Sequence, residues 1–319
     1  MGTGPFVFKE WKPGDRVVVE KNPRYWQERG PYLDEIVYRP IPDHETRYAA
    51  FVSGQADVLI TDRAAHVKKL ETNPDFVKHT LNYRGAGILV LNNSKPPLDD
   101  IRVRRALAMA WDQKQYIRAS FQDTVPFAQH WFGDAVSCEN TAYINRDLEN
   151  ARELISEYGK PVELEYIHSA TKRGREAAVI LRQMFGEIGV TVNPVPSDFP
   201  GIIKKLFSGK HDICSWLISG SWDMGPVSMA ILDSKSPWNV SRYSNQEVDN
   251  LLMAQRLSMD PEFRKKTLCE VARKVNSETP FLYLFGRTYY LFSKKNIHDI
   301  RLPLPGEEHV DYSNAWISK

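Results

Sequence analysis

Short apolar runs alternate with stripes of apolar residues at helical spacing along this chain, an order that predicts an α/β protein. Val17 to Glu20 is a β-branched run after the turn Pro13-Gly14-Asp15, and Ile36 to Ile41 is a second strand pattern. Pro42-Asp43 then opens a helix. Asp43 is its N-cap, Tyr48, Phe51 and Val52 form its apolar stripe, and Gly54 stands just past its end. Ala56 to Ile60 follows as a buried strand. Strand, helix and strand in this order predict a βαβ unit and a parallel sheet.

After Gly85-Ala86-Gly87 the strand Ile88 to Leu91 runs into Asn92-Asn93-Ser94-Lys95-Pro96-Pro97, a sharp break in the pattern. Asp99 and Asp100 sit at the next helix start, where carboxylates suit the positive end of the dipole. Val103, Leu107 and Trp111 share one face of that helix at i, i+4 spacing. Residues 120–146 show no period but carry Phe121, Phe127, Trp131 and Phe132, which predicts a long ordered loop. Val162 to Ile167, Arg175 to Ile188 and Val190 to Val195 read as strand, helix and strand, a second βαβ unit. A short helix over Asp198 to Ser208, closed by Gly209, leads to the buried strand His211 to Ile218. The stretch 219–243 is read as irregular. Ser244 with Glu247 fits a capping box, and Asp260-Pro261 fits an N-cap with proline at the first helical position. Tyr283 to Phe292 is an aromatic strand pattern.

The 319 residues suggest two domains at ~150 residues each. Lys and Arg number 42 against 40 Asp and Glu, a net charge of +2. No strong field of one sign results, so nothing favours nucleic acid or an anionic membrane as a partner. No apolar run approaches the ~20 residues of a membrane span. Three cysteines, Cys138, Cys214 and Cys269, lack CxxC spacing. That excludes the usual structural zinc patterns and leaves at most one disulfide with one thiol over. Motifs for metalloproteases, serine hydrolases, phosphate-binding loops and dinucleotide sites are missing, so the expectation is no catalytic residue, no metal and no cofactor.

The positive signal is aromatic. Trp131, Trp216, Trp222, Trp238 and Phe127 fall in or beside segments without regular pattern. Rings interspersed with Ser and Asp suit a cleft that stacks on a ligand and fixes it with a few polar groups. The expected ligand wall is Ser219, Ser221, Trp222 and Asp223, backed by Phe199, Trp216 and Trp131. The competing expectation is that Trp222 plugs a core and Asp223 caps a turn.

Several of these segments carry a resemblance. Gly2-Thr3-Gly4-Pro5-Phe6, Asn22-Pro23-Arg24-Tyr25-Trp26, Pro31-Tyr32-Leu33-Asp34-Glu35-Ile36 and Ser53-Gly54-Gln55-Ala56-Asp57 occur in that order. Leu91-Asn92-Asn93 with Pro96-Pro97-Leu98-Asp99-Asp100-Ile101-Arg102-Val103-Arg104 follows as the most specific stretch. Gly186 to Val192, Gly209 to Ile213 and Arg242-Tyr243-Ser244-Asn245 continue it. Together they resemble the family 5 (peptide/nickel class) extracytoplasmic solute-binding proteins of ABC transporters.

The resemblance implies a two-lobed, periplasmic-binding-protein-like (class II) α/β fold that is N-terminally truncated, because the family carries a long portion before its GTGPY motif. Lobe one would be 1–90 with 286–319 returning to it, and lobe two 91–285. The hinge strands would pass near Asn92 and over Leu284 to Thr288. The implied function is capture of a small extracytoplasmic ligand, an oligopeptide or similar, in an interlobe cleft. Delivery would be to a membrane permease, with the protein periplasmic or, at full length, membrane-anchored outside the cytoplasm. The position where peptide-binding members carry an aspartate is matched by Ser221 when counted from Asp212, with Asp223 two residues on. Phe199 matches an aromatic position of the family, and Lys172 and Arg173 stand where some members bind a carboxylate. A ligand-sensing regulatory domain is the alternative function. A hydrolase using the same cleft has less behind it, since it needs a histidine beside Ser219 or Ser221.

Overall fold

The computed structural model describes residues 2–133, 136–139, 141, 143–221, 223–303 and 309–318. The chain divides into two compact units. The first is Met1–Asn82 with Thr288–Lys319, and the second is Tyr83–Arg287.

In the first unit, β1 (Phe6–Lys12), β2 (Arg16–Lys21) and β3 (Glu35–Tyr38) form an antiparallel sheet in that order. Helix α1 (His44–Val52), strand β4 (Val58–Thr61) and helix α2 (Ala64–Leu70) follow. Asp43 caps α1 by accepting from the Thr46 N–H at 2.8 Å, as the sequence predicts. The predicted βαβ unit across this region does not form. β3 pairs antiparallel with β2, while β4 pairs antiparallel with Tyr290 to Ser293 far along the chain. The order strand–helix–strand leaves pairing open, and the burial of β3 explains the outcome. Parallel strands are covered on both faces, whereas β3 is largely exposed. The core of this unit is small: Phe51, Leu59, Val67, Leu70, Tyr290 and Phe292.

Strand β5 (Phe76–Leu91) starts in the first unit and ends in the second. The second unit continues with α3 (Ile101–Ala110), α4 (Gln113–Phe121), α5 (Leu148–Tyr158), β6 (Glu163–Ser169), α6 (Lys172–Gly186) and β7 (Thr191–Ser197). Then come α7 (Phe199–Phe207), β8 (Ile213–Ser219), α8 (Met224–Leu232), α9 (Gln246–Leu257) and α10 (Pro261–Glu278). Strand β9 (Phe281–Lys294) leads back to the first unit, where β10 (Ile297–His298) and β11 (Trp316–Ile317) pair.

The strands of the second unit lie in the order β9-β5-β8-β6-β7. β6 pairs parallel with both β7 and β8, so the second predicted βαβ unit is present. β5 runs antiparallel to β8. Alternate residues of β5 point to opposite faces. Leu89 and Leu91 join one core with Leu107, Trp111, Tyr166 and Phe185. Ile88 and Val90 join another with Trp131, Phe132, Ile218 and Tyr283.

Residues 122–147 hold no helix or strand among the described residues. This loop is nonetheless tied down. Gln113 and Ala128 exchange two hydrogen bonds of 3.1 Å, and the Asn276 amide donates to the carbonyls of Gln129 and Thr141. A disulfide joins Cys138 to Cys269 with Cα atoms 5.4 Å apart, and Cys214 is a free, buried thiol. This is the single bridge with one thiol over that the spacing allowed.

The predicted helix starts at Asp100 and Asp260 are observed as caps, and Asp198, read as the first residue of a helix, proves to be its cap. The predicted box at Ser244 shifts by one residue. Asn245 is the cap, accepting from the N–H groups of Glu247 and Val248, because Asn caps as well as Ser and lies nearer the buried Val248. The stretch read as irregular contains α8. Met224, Val227, Met229, Ile231 and Leu232 give no period, and Pro226 is tolerated because it lies in the first turn, where its missing N–H has no partner to lose.

Candidate functional site

The C-terminal ends of β6, β7 and β8 face one edge of the second unit's sheet, where open α/β sheets place their ligands. The loop after β8 carries most of the predicted wall. Its start is a close approach of two backbones: Gly220 N–H donates to the Arg84 carbonyl at 2.9 Å. A Cβ on Gly220 would lie 2.2 Å from that of Arg84. Gly85 across the pairing has φ +106°, and a Cβ there would lie 2.0 Å from the Ile218 carbonyl oxygen. Only glycine fits either position, and together they fix where the chain leaves β8.

Ser219 is exposed and pairs with Gly85 in the ladder. Ser221 is half-buried. Its carbonyl accepts from Arg84 at 3.3 Å, and its N–H points at the Met224 sulfur, 3.4 Å away. Asp223 caps α8 through the Gly225 N–H at 2.9 Å, and its other oxygen takes Arg264 Nη2 at 2.5 Å. Burial pushes the Asp223 carboxyl up. The hydrogen bonds from Arg264 and Gly225 and the Arg264 charge outweigh it, so the group lies below its ordinary value. Asp223 is therefore ionised and already engaged, as the competing cap expectation holds. Trp222 lies outside the described residues.

The remaining candidates are spread. Trp216 lies on β8 opposite Ile88 and packs partly buried against the core. Phe199 opens α7 directly after β7 and is 67% exposed. Strand β6 separates β7 from β8, so that ring stands about 10 Å from the β8 end at ordinary strand spacing. Trp131 is a correction. It is fully buried, and its indole Nε1 donates to Ser228 Oγ at 2.9 Å, so it faces the core and not a ligand. Its irregular segment hid this, because no periodicity marks a loop residue as core.

Sequence reasoning missed Arg264 and Arg84. Arg264 had a signal: a cation in the first turn of α10 opposes the helix dipole, which calls for a nearby carboxylate. Among the described residues no histidine hydrogen-bonds to Ser219 or Ser221, and no group of three or more His, Cys, Asp or Glu is arranged around a metal position.

The chain is similar to known proteins over most of its length. The model of bacterial extracellular solute-binding proteins, family 5 (middle) matches residues 1–240. Heme-binding protein A of Haemophilus influenzae is 27% identical over 298 residues, covering 88% of this chain and 54% of that protein. Di/tripeptide-binding protein 2 of Pseudomonas aeruginosa is 25% identical over 318 residues, covering 95% and 59%. The chain thus spans between half and two thirds of the length of these relatives. Among solved structures, the periplasmic binding protein DppA from Helicobacter pylori in complex with the peptide STSA superposes with a TM-score of 0.89 at 21% identity. That match covers 100% of this chain and 63% of DppA. The dipeptide-binding protein of Pseudoalteromonas sp. SM9913 with Met-Leu gives 0.86 at 22%, covering 99% and 64%. The fold is that of periplasmic binding proteins, and the chain belongs to the bacterial extracellular solute-binding proteins of family 5.

Proposed function

We propose that this chain is the ligand-capturing part of a solute-binding protein serving an ABC importer. Its ligand is a small solute, an oligopeptide or a molecule of similar size, held at the loops that follow β7 and β8. It does no chemistry on the ligand and hands it to a membrane permease. The observation that carries this reading is the parallel trio β6, β7 and β8. Its C-terminal ends lead to the exposed ring of Phe199 and to the polar groups of Ser219, Ser221 and Asp223. Trp222, between the last two in sequence, adds a second ring to the proposed wall. Family membership supports the same reading, and so do the relatives named for peptide and heme binding. The Cys138–Cys269 disulfide supports a place outside the cytoplasm, where such bridges persist. No helix among the described residues is long and apolar enough to cross a membrane.

Titration calorimetry with a panel of di- and tripeptides tests this. Saturable binding is expected. Phe199→Ala and Trp222→Ala should each weaken it about tenfold, since ring anchors often carry 2 kcal/mol or more, while the melting temperature stays unchanged. Absence of binding across the panel, or unchanged affinity in both variants, would overturn the assignment.

A further inference from the structure

The second unit has a pocket that meets the proposed solute wall at Asp223 alone and otherwise lies outside it. Its volume is about 630 Å³, inside the ~300–1,000 Å³ range of small-molecule sites. It runs along α8, the end of α9 and the start of α10. Two kinds of group line it. Met229 and Met259 supply apolar surface, and Met259 is 95% exposed, with its flexible thioether free to fold over an occupant. Leu257 beside it is 79% exposed.

The charged groups are unequally committed. Asp223 and Arg264 hold each other, and Arg264 also reaches Gln255 Oε1 at 3.4 Å. Asp233 accepts the backbone N–H of Lys235 at 2.8 Å. The side chains of Lys235 and Arg256 make no hydrogen bond or ion pair among the described residues. With one pair cancelled, Lys235 and Arg256 stand against the single charge of Asp233, and the balance is positive. An arginine fork binds a carboxylate through two parallel hydrogen bonds, and the two methionines offer apolar surface beside it that an occupant would remove from water.

We propose that this pocket is a second ligand site, bordering the loop after β8 at Asp223 and running away from it along α8, α9 and α10, that takes an organic carboxylate with a short apolar body. Arg256 and Lys235 hold the carboxylate, and Met229 and Met259 cover the chain.

Methyl NMR of the whole chain with 13C-labelled methionine reads the site directly, using Met229→Leu and Met259→Leu to assign the two signals. Hexanoate is the probe and hexylammonium the control of opposite charge. Both signals should shift saturably with hexanoate and not with hexylammonium. The double variant Lys235→Gln/Arg256→Gln should weaken hexanoate binding about tenfold, the loss of roughly one charge-assisted contact, with the melting temperature unchanged. Met259→Ser should weaken it without touching a charge. Phe199→Ala should leave it unaltered, which separates this site from the proposed solute site. No shift at millimolar hexanoate, an equal response to hexylammonium, or undiminished binding in the double variant would overturn the proposal.

Discussion

The two units bury their large aromatic residues to different extents, although each has both buried and exposed rings. In the second, Trp131, Tyr166, Phe185 and Tyr283 are all but fully buried, and the sheet is covered on both faces by separate cores. In the first, Phe8 (67%), Trp11 (64%) and Trp26 (71%) are open to solvent, and the core is the cluster around Phe51 and Phe292. A ring stabilises a fold only through the surface it removes from water. The second unit therefore holds most of the apolar stabilisation, and the rings of the first unit are surface available for contact.

Substitutions break or sharpen this contrast. Trp131→Ala should cost about 3–5 kcal/mol, for a large cavity and the loss of the indole hydrogen bond to Ser228, whose hydroxyl keeps its bond to the Met224 carbonyl. Trp11→Ala should stay within about 0.5 kcal/mol. Urea unfolding of the two variants measures both, and equal losses would erase the difference between the units.

Removal of the Cys138–Cys269 bridge comes next. Its ends are 131 residues apart in sequence, and closing so long a loop typically contributes about 2–4 kcal/mol. The Cys138→Ala/Cys269→Ala variant should unfold at correspondingly lower urea. Amide exchange should rise in residues 122–147 and not around Phe51. Exchange rising equally in both places would contradict the view that the bridge serves the loop.

A pH effect follows in size. Burial holds both His130 and His211 of the second unit down at about 4 from an ordinary 6.5. Between those values the unfolded chain binds more protons than the folded one. Stability is thus complete above pH 6.5 and declines as the pH falls toward 4, by on the order of 2 kcal/mol for each histidine. His211→Gln should flatten part of that slope in a series of melts from pH 7 to pH 4. An unchanged slope would show that the ring is solvated in solution.

Among the substitutions in the second unit, the smallest effect is expected at Arg264→Met. The pair with Asp223 has side chains 29% and 46% exposed, so its loss should cost at most about 1 kcal/mol. A loss well above 2 kcal/mol would make this pair a structural anchor of α8.

Much of the second unit was legible in the sequence, for physical reasons. Strands with one covered face alternate apolar and polar residues, which is how Val162 to Ile167 and the start of Val190 to Val195 present themselves. Caps such as Asp43, Asp100 and Asp260 act on the next few residues, so sequence neighbours reveal them. Pairing across long distances was not legible. Nothing near β4 says that its partner is Tyr290 to Ser293. Nor does anything near Asp223 name Arg264, 41 residues away. Trp131 escaped for a related reason. Its burial depends on an amide, a disulfide and a serine supplied by α10 and α8, and none of these leaves a mark on its own segment.

Native mass spectrometry of the protein purified from the cells that make it tests the central claim, capture of a small solute, most directly. The account predicts a folded species carrying one small molecule that departs on denaturation, with occupancy much reduced in Phe199→Ala and Trp222→Ala. Bare protein under every growth condition, or a retained molecule whose occupancy ignores both substitutions, would contradict it.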